Sequence, residues 1–347
     1  MRKLTYCDAI NEALHQEMER DSSVFIYGIG VPDHKRIFGT VNGISEKFGE
    51  HRLLDTPLAE ESMMGFGTGA AIMGLRPIYV HIRVDFLLLA MNQIANILST
   101  YNYMSGLKVP LVIRAVIGRG WGQGMQHSKS VQSIFAHFPG LKVVMPTTPY
   151  DAKGMLISAI RDDNPVIVIE HRWLYWAEGN VPAESYTIPL DEPDIIREGK
   201  DLTIVATSWM NVESLRAAEI LKQNHNIDVE VIDARVIAPF SQKLVDTMIA
   251  SVNKTKHCII ADNDWVYCGY SAELASQLYE RGVTLNKPIK RIGFEQTPCP
   301  TVRKLENVFY PNAVKIVRAV EDMLGLHHMF VDESNLYSHE NKFKGPF

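Results

Sequence analysis

Short apolar runs alternate with longer amphipathic ones through most of the chain. "VFIYGIG" (24–30), "RPIYVHI" (76–82), "VPLVIRAV" (109–116), "LKVVMP" (141–146) and "PVIVIEH" (165–171) are rich in β-branched and aromatic residues and are bounded by Gly and Pro. Between them, residues 4–20, 61–74, 86–103 and 149–162 repeat apolar positions at helical spacing. This alternation predicts βαβ units and a mainly parallel sheet covered by helices on both faces. A polar, Pro-containing stretch at 177–201 interrupts it and reads as a linker with one short extended piece. The pattern then restarts: "LTIVATS" as a strand, "NVESLRAAEILKQN" as a helix, and "DVEVIDARVIAPF" as a strand leaving into a Pro-ended loop. "VDTMIASVNK", "HCIIADN" and "YSAELASQLYERG" complete a second, smaller α/β unit. The last stretch, from 327, is polar and irregular and reads as a tail.

Composition narrows the class. The 347 residues suit two domains, and 46% hydrophobic residues supply enough apolar mass for real cores. A net charge of −5 with no basic block argues against a nucleic-acid partner. The run "FLLLAMNQIANIL" (86–98) is too short to span a bilayer and is broken by Asn92 and Gln93. Early acids, Asp8 and Glu12, argue against a transit peptide, and no h-region is present, so a cytoplasmic protein with no membrane association is expected. Four cysteines without a CxxC pair suggest neither zinc nor a disulfide framework.

The chemistry-bearing stretches each have a plain alternative. "LLDTPLAEESMMGFGTGAA" (53–71) places adjacent acids, Glu60 and Glu61, before a helix carrying Gly65, Gly67, Gly69 and Gly74. The acids could merely offset the helix dipole, or one could point into a cleft at the strand ends. "GFGTGA" matches a dinucleotide fingerprint, but no strand leads directly into it, so close packing against a neighbouring helix or a second chain is favoured. "GRGWGQGMQHSKS" (118–130) leaves a strand as a Gly-rich loop and carries His127, a plausible acid–base group or a solvated loop histidine. His137, among apolar residues, reads as structural.

Together these segments resemble one family. "TPLAEESMMGFGTGAAIMGLRPI", "MNQIAN", "YMSG", "QHS", "HFPGLKVVMPTTPYDAKGMLISAIRDDNPVIVIEH" and "VIDARVIAPF" are similar, in order, to the beta subunit of thiamine-diphosphate-dependent 2-oxo acid dehydrogenases of the pyruvate, branched-chain and acetoin type. The resemblance covers about 1–326. It implies a pyrimidine-binding domain at 1–178, a linker at 179–198, a transketolase C-terminal-like domain at 199–326 and a tail at 327–347. It also implies oxidative decarboxylation of a 2-oxo acid with acyl transfer to lipoamide. The Gly-Asp-Gly segment that holds Mg²⁺ and the diphosphate in single-chain relatives is missing from this sequence. An alpha subunit would then supply Mg²⁺ binding, in an α₂β₂ heterotetramer, with a lipoyl acyltransferase as a further partner. By resemblance, Glu60 matches the glutamate that hydrogen-bonds N1′ of the aminopyrimidine, Phe86 the stacking aromatic, and Leu58 an apolar cofactor contact. His127 matches the histidine that assists acyl transfer. A structural K⁺ is implied at Ala159, Asp162 and Asn164.

The departures concern the substrate. Where relatives often read E-I-Q-F-A-D-Y, this chain reads "VHIRVDF", with Ile82 at the Gln position and Arg83 where an aromatic is usual. Trp121 in the glycine loop and "DNDWVYCGYSAE" are also unusual. Strand alternation sets Arg83 opposite Ile82 and Val84, so Arg83 serves either an anionic substrate or an ion pair with the alpha chain. Two other readings stay open: a split transketolase-like or acyloin-forming carboligase half, and a non-catalytic assembly subunit.

Overall fold

A computed structural model describes residues 2–33, 37–119 and 122–334. Trp121 and the tail beyond Ser334 lie outside the described residues. The strands in chain order are β1 (Arg2–Thr5), β2 (Val24–Gly28), β3 (Leu53–Asp55), β4 (Arg76–His81), β5 (Val112–Ile117), β6 (Lys142–Val144), β7 (Val166–His171), β8 (Glu178–Val181), β9 (Asp194–Arg197), β10 (Leu202–Ala206), β11 (Val229–Asp233), β12 (Val236–Ala238), β13 (Cys258–Trp265) and β14 (Lys290–Phe294). The α-helices are α1 (Tyr6–Arg20), α2 (Ile44–Phe48), α3 (Glu60–Ile72), α4 (Val84–Leu87), α5 (Ser99–Ser105), α6 (Gln132–Ala136), α7 (Pro149–Arg161), α8 (Trp209–His225), α9 (Gln242–Thr255), α10 (Tyr270–Glu280), α11 (Arg303–Phe309) and α12 (Ala313–Leu324).

Two sheets carry the fold. The first has seven strands in the order β12-β6-β7-β5-β4-β2-β3, parallel except for β12. The second has five, β14-β13-β10-β11-β9, parallel except for β9. Strands β2, β5, β7, β10 and β11 are buried along their whole length, which is why they read as continuous apolar runs. Helices start where the sequence supplies caps. Thr148 and Asp151 form a reciprocal capping box at α7, and the Thr5 side chain accepts the Asp8 N–H at α1. The two-domain, mainly parallel α/β architecture agrees with the sequence reading.

Local differences have physical causes. "DVEVIDARVIAPF" is two strands, because Arg235 between them is tied down by the Asp151 carboxylate at 2.7 Å while its carbonyl accepts the Met145 N–H. The second piece, β12, crosses over to pair antiparallel with β6 of the first sheet. One hydrophobic cluster therefore joins Ile113 and Ile169 of the first sheet to Val205, Ile232 and Ile260 of the second. Residues 86–103 do not form one regular helix: the rod changes winding through Leu88–Ala90 and a wide turn at Gln93–Leu98 before α5. Residues 179–198 contain two paired segments, β8 against β1 and β9 against β11. The start of the tail packs on the second domain, where the Met329 N–H donates to Glu321 and the Phe330 carbonyl accepts from Asn224.

Candidate active site

The C-terminal ends of β2 and β4 open onto a cavity of about 400 Å³. Its wall is largely apolar, with Ile29, Leu58, Val80, Ile82, Phe86 and Leu89, and a few polar groups converge on it: Glu60, His81, Arg83, Gln123 and His127. An apolar pocket with few polar groups at the carboxyl ends of parallel strands is the usual setting of an α/β ligand site.

Its floor explains the glycines of α3. Tyr27 and Tyr79 face each other across the β2–β4 pair and stack with ring centres 4.4 Å apart and planes 7° apart. The Tyr27 hydroxyl donates to the Met63 carbonyl at 3.2 Å, directly beneath the helix. A Cβ on Gly67 would lie 1.9 Å from that hydroxyl oxygen, so only glycine fits. At Gly69 a Cβ meets nothing within 4 Å. There the helix turns an exposed apolar face outward, with Phe66 and, just beyond its end, Met73 and Leu75.

The two acids separate cleanly. Glu60 opens α3, is only 7% exposed and lines the cavity, and its carboxylate accepts no hydrogen bond from a described residue. Glu61 is exposed and accepts from the Asn92 side chain at 2.9 Å. Leu58 stands at the rim, 82% exposed. Phe86, in the first helical turn after β4, meets the His127 ring edge-on at 5.2 Å.

His127 arrives on the loop after β5. Gly122 and Gly124, with φ of +76° and +71°, turn that loop so that Gln123 and His127 both reach the cavity. Burial lowers the His127 pKa, and the Arg83 guanidinium lowers it further, so the imidazole is neutral at pH 7. The second domain braces this loop. The Tyr310 hydroxyl donates to the Ser128 carbonyl at 3.0 Å, and a Cβ on Gly124 would lie 2.6 Å from Thr301 Cγ2. One turn on, Gln132 donates to the buried Asp262 at 2.8 Å and Ser133 to Asp264 at 2.7 Å.

Arg83 is 4% exposed and belongs to the cavity wall. Its guanidinium donates to the Ile82 carbonyl at 2.7 Å and to Gln123 Oε1 at 2.8 Å. His81 was missed by sequence reasoning. It lines the cavity, is 5% exposed, and burial pushes its pKa down to about 3, so it is a neutral imidazole. Its Nε2 has no hydrogen-bond partner among the described residues. A histidine closing an otherwise apolar strand was the available signal. Ala159, Asp162 and Asn164 are elsewhere, at the N-terminal edge of the strands. Asp162 pairs with Lys142 and accepts from the Asn164 N–H, and Arg76 donates to the Ile160 and Asp162 carbonyls at 2.9 Å each. Of the three residues expected to hold K⁺, Asp162 is thus already served by two protein cations, Lys142 and Arg76. Among the described residues no group of three His, Cys, Asp or Glu side chains could hold a metal ion, and all four cysteines are free.

Comparison with known proteins decides the family. Residues 2–176 match the transketolase pyrimidine-binding domain and 191–316 the transketolase C-terminal domain. The chain is 39% identical to the beta subunit of acetoin:2,6-dichlorophenolindophenol oxidoreductase from Cupriavidus necator, over 92% of this chain and 96% of that one. It is 38% identical to the 2-oxoisovalerate dehydrogenase beta subunit of Bacillus subtilis, over 93% and 99% respectively. Against the pyruvate dehydrogenase E1 component subunit beta of Rickettsia felis the identity is 37%, over 92% and 98%. This chain belongs to the beta-subunit family of the 2-oxo acid dehydrogenases. That family is thiamine-diphosphate dependent. A solved structure titled split gene transketolase, inactive beta4 tetramer, shares the fold, with a TM-score of 0.75 at 20% identity over 94% of this chain and 99% of that one. No helix among the described residues is long and apolar enough to cross a membrane.

Proposed function

We propose that this beta subunit supplies the aminopyrimidine half of a thiamine-diphosphate site and works with an alpha subunit to decarboxylate a 2-oxo acid, passing the acyl unit to lipoamide. One observation carries the reading: the Glu60 carboxylate is held in a largely apolar cavity with no hydrogen-bond partner among the described residues, while its neighbour Glu61 is turned away. The donor set fits the ring. Glu60 would donate or share a proton at N1′, Phe86 would lie against the ring face, and Leu58 and Ile82 would give apolar contact. When bound, the cofactor supplies the carbon nucleophile and the electron sink for loss of carbon dioxide. His127, neutral and beside Phe86, can take or return a proton during transfer of the acyl unit. The second domain's grip on Ser128 and Gly124 fixes where that imidazole sits.

The diphosphate and Mg²⁺ fall to the alpha subunit, and an α₂β₂ assembly that docks on a lipoyl acyltransferase completes the proposal. The exposed apolar surface of Leu58, Phe66, Met73 and Leu75 beside the site supports burial by another chain. K⁺ takes no part in the chemistry proposed here, and Lys142 and Arg76 already reach the Asp162 oxygens. Calorimetry tests the division of labour: the isolated chain should bind thiamine diphosphate weakly and turn nothing over, and co-expression with the alpha subunit should restore both. Tight, Mg²⁺-dependent binding to this chain alone would contradict it.

A further inference from the structure

The wall of the cavity carries a permanent cation that the reaction as described does not need. Arg83 closes the extended segment after β4, with φ −139° and ψ 129°, and is nine-tenths buried before any partner chain is added. Its place in the cavity wall favours the substrate role over the ion pair with the alpha chain that the sequence left open. Among the described residues two of the five guanidinium N–H groups are used, on the neutral oxygens of Ile82 and Gln123, and Nε has no acceptor. Among the described residues no carboxylate pairs with it: Asp85, the acid whose field reaches it, is held by the Lys129 ammonium at 3.0 Å and by the Lys129 N–H. A second buried cation stands near enough for the two charges to act on each other. Arg172 is 0% exposed, and burial together with the Arg83 charge pulls its pKa down to about 9. Both arginines also act on His127, which places their field at the end of the cavity where the acyl unit would be transferred. Burial pushes Arg83 down only to about 10, so it is charged at neutral pH. Holding a charge in such a place without an anion is costly.

The anion is not the carboxylate that leaves. A guanidinium bound to it would favour the ground state over a transition state in which that charge is being lost, and would oppose decarboxylation. Resting on the function proposed above, we infer that Arg83 is the receptor for a second carboxylate at the far end of the substrate, so that the natural substrate is a 2-oxo dicarboxylic acid. Its carboxylate oxygen replaces the Gln123 amide oxygen on the guanidinium, exchanging a neutral acceptor for a charged one.

The test uses the assembled alpha–beta complex. Its kcat/KM is compared for 2-oxoglutarate and 2-oxopentanoate, equal in chain length and different only in the terminal group. Binding of glutarate, an unreactive probe, is measured by calorimetry in the resting complex. The wild type should prefer the diacid at least ~10-fold. Arg83→Met should erase that preference and weaken glutarate by roughly 10–100-fold, the range for a charge-assisted hydrogen bond. Arg83→Lys, which keeps the charge and loses the planar fork, should fall between and covers the case in which the Met variant fails to assemble. Preference for the methyl-ended acid, equal loss on both acids in Arg83→Met, or glutarate binding indifferent to Arg83 would each overturn the assignment. If neither acid is decarboxylated while glutarate binding still depends on Arg83, the receptor stands and the proposed reaction falls.

Discussion

Replacing Gly67 and Gly69 by alanine, one at a time, tests the account of α3 with a built-in control. Both lie in the same helix two residues apart, so both gain about 1 kcal/mol of intrinsic helix preference over glycine. Their surroundings differ. The new methyl at 67 would sit 1.9 Å from Tyr27 Oη and 2.9 Å from its Cζ, with Leu111 Cδ1 at 3.3 Å. Tyr27 cannot swing aside, because it is fully buried and stacked on Tyr79. Overpacking of this kind costs about 1–3 kcal/mol, and losing the Tyr27–Met63 hydrogen bond costs about 1 more. The net expectation for Gly67→Ala is a loss of roughly 2 kcal/mol. Gly69→Ala, which meets nothing, should gain roughly 0.5–1 kcal/mol in the isolated chain. At about 2–4 °C per kcal/mol for a domain of this size, the two melting transitions should stand roughly 5–10 °C apart. Differential scanning calorimetry on the isolated chain reads this directly. A Gly67→Ala variant as stable as Gly69→Ala would refute the claim that glycine is there for the tyrosine beneath it. In the assembled complex the order at 69 should reverse, with weaker association in sedimentation, if that face packs on another chain.

His127→Ala should damage acyl transfer to lipoamide more than decarboxylation measured with an artificial oxidant; an unchanged ratio of the two activities would remove the transfer role and favour a carboligase. Burial, with the nearby Asp151 charge, pushes the Asp233 carboxyl up to about 8. The folded chain therefore binds a proton that the unfolded chain releases near pH 4, a contribution that is complete below pH 4 and lost as pH rises toward 8. Asp233→Asn should flatten the fall in denaturation midpoint between pH 5 and 8, and an unaltered slope would show that Asp233 titrates normally.

The parts of the fold that repeat locally were legible in the sequence. The apolar strands and capped helices follow from period and cap chemistry, which act over a few residues. What depends on distant partners was not. The crossing of β12 to the first sheet needs Arg235 to find Asp151, and the brace on the histidine loop joins Tyr310 to Ser128 across 182 positions. Neither leaves a periodic trace. The site shows the same division. Strand alternation set Arg83 opposite Ile82, yet both line the cavity, because the strand ends at His81 and the chain turns into α4 at Val84. Glu60 and Glu61 are chemically identical and adjacent, and the helix phase that buries one and exposes the other is set by Gly67 resting on Tyr27.

The most direct test of the proposed site is the rate of C2 proton exchange by thiamine diphosphate in the reconstituted alpha–beta complex. Glu60→Gln should slow it by ~10²-fold or more, the scale of a positioned acid–base group, and Glu61→Gln should leave it within a factor of about three. Equal effects from the two substitutions would reduce both acids to helix-end charges and contradict the assignment.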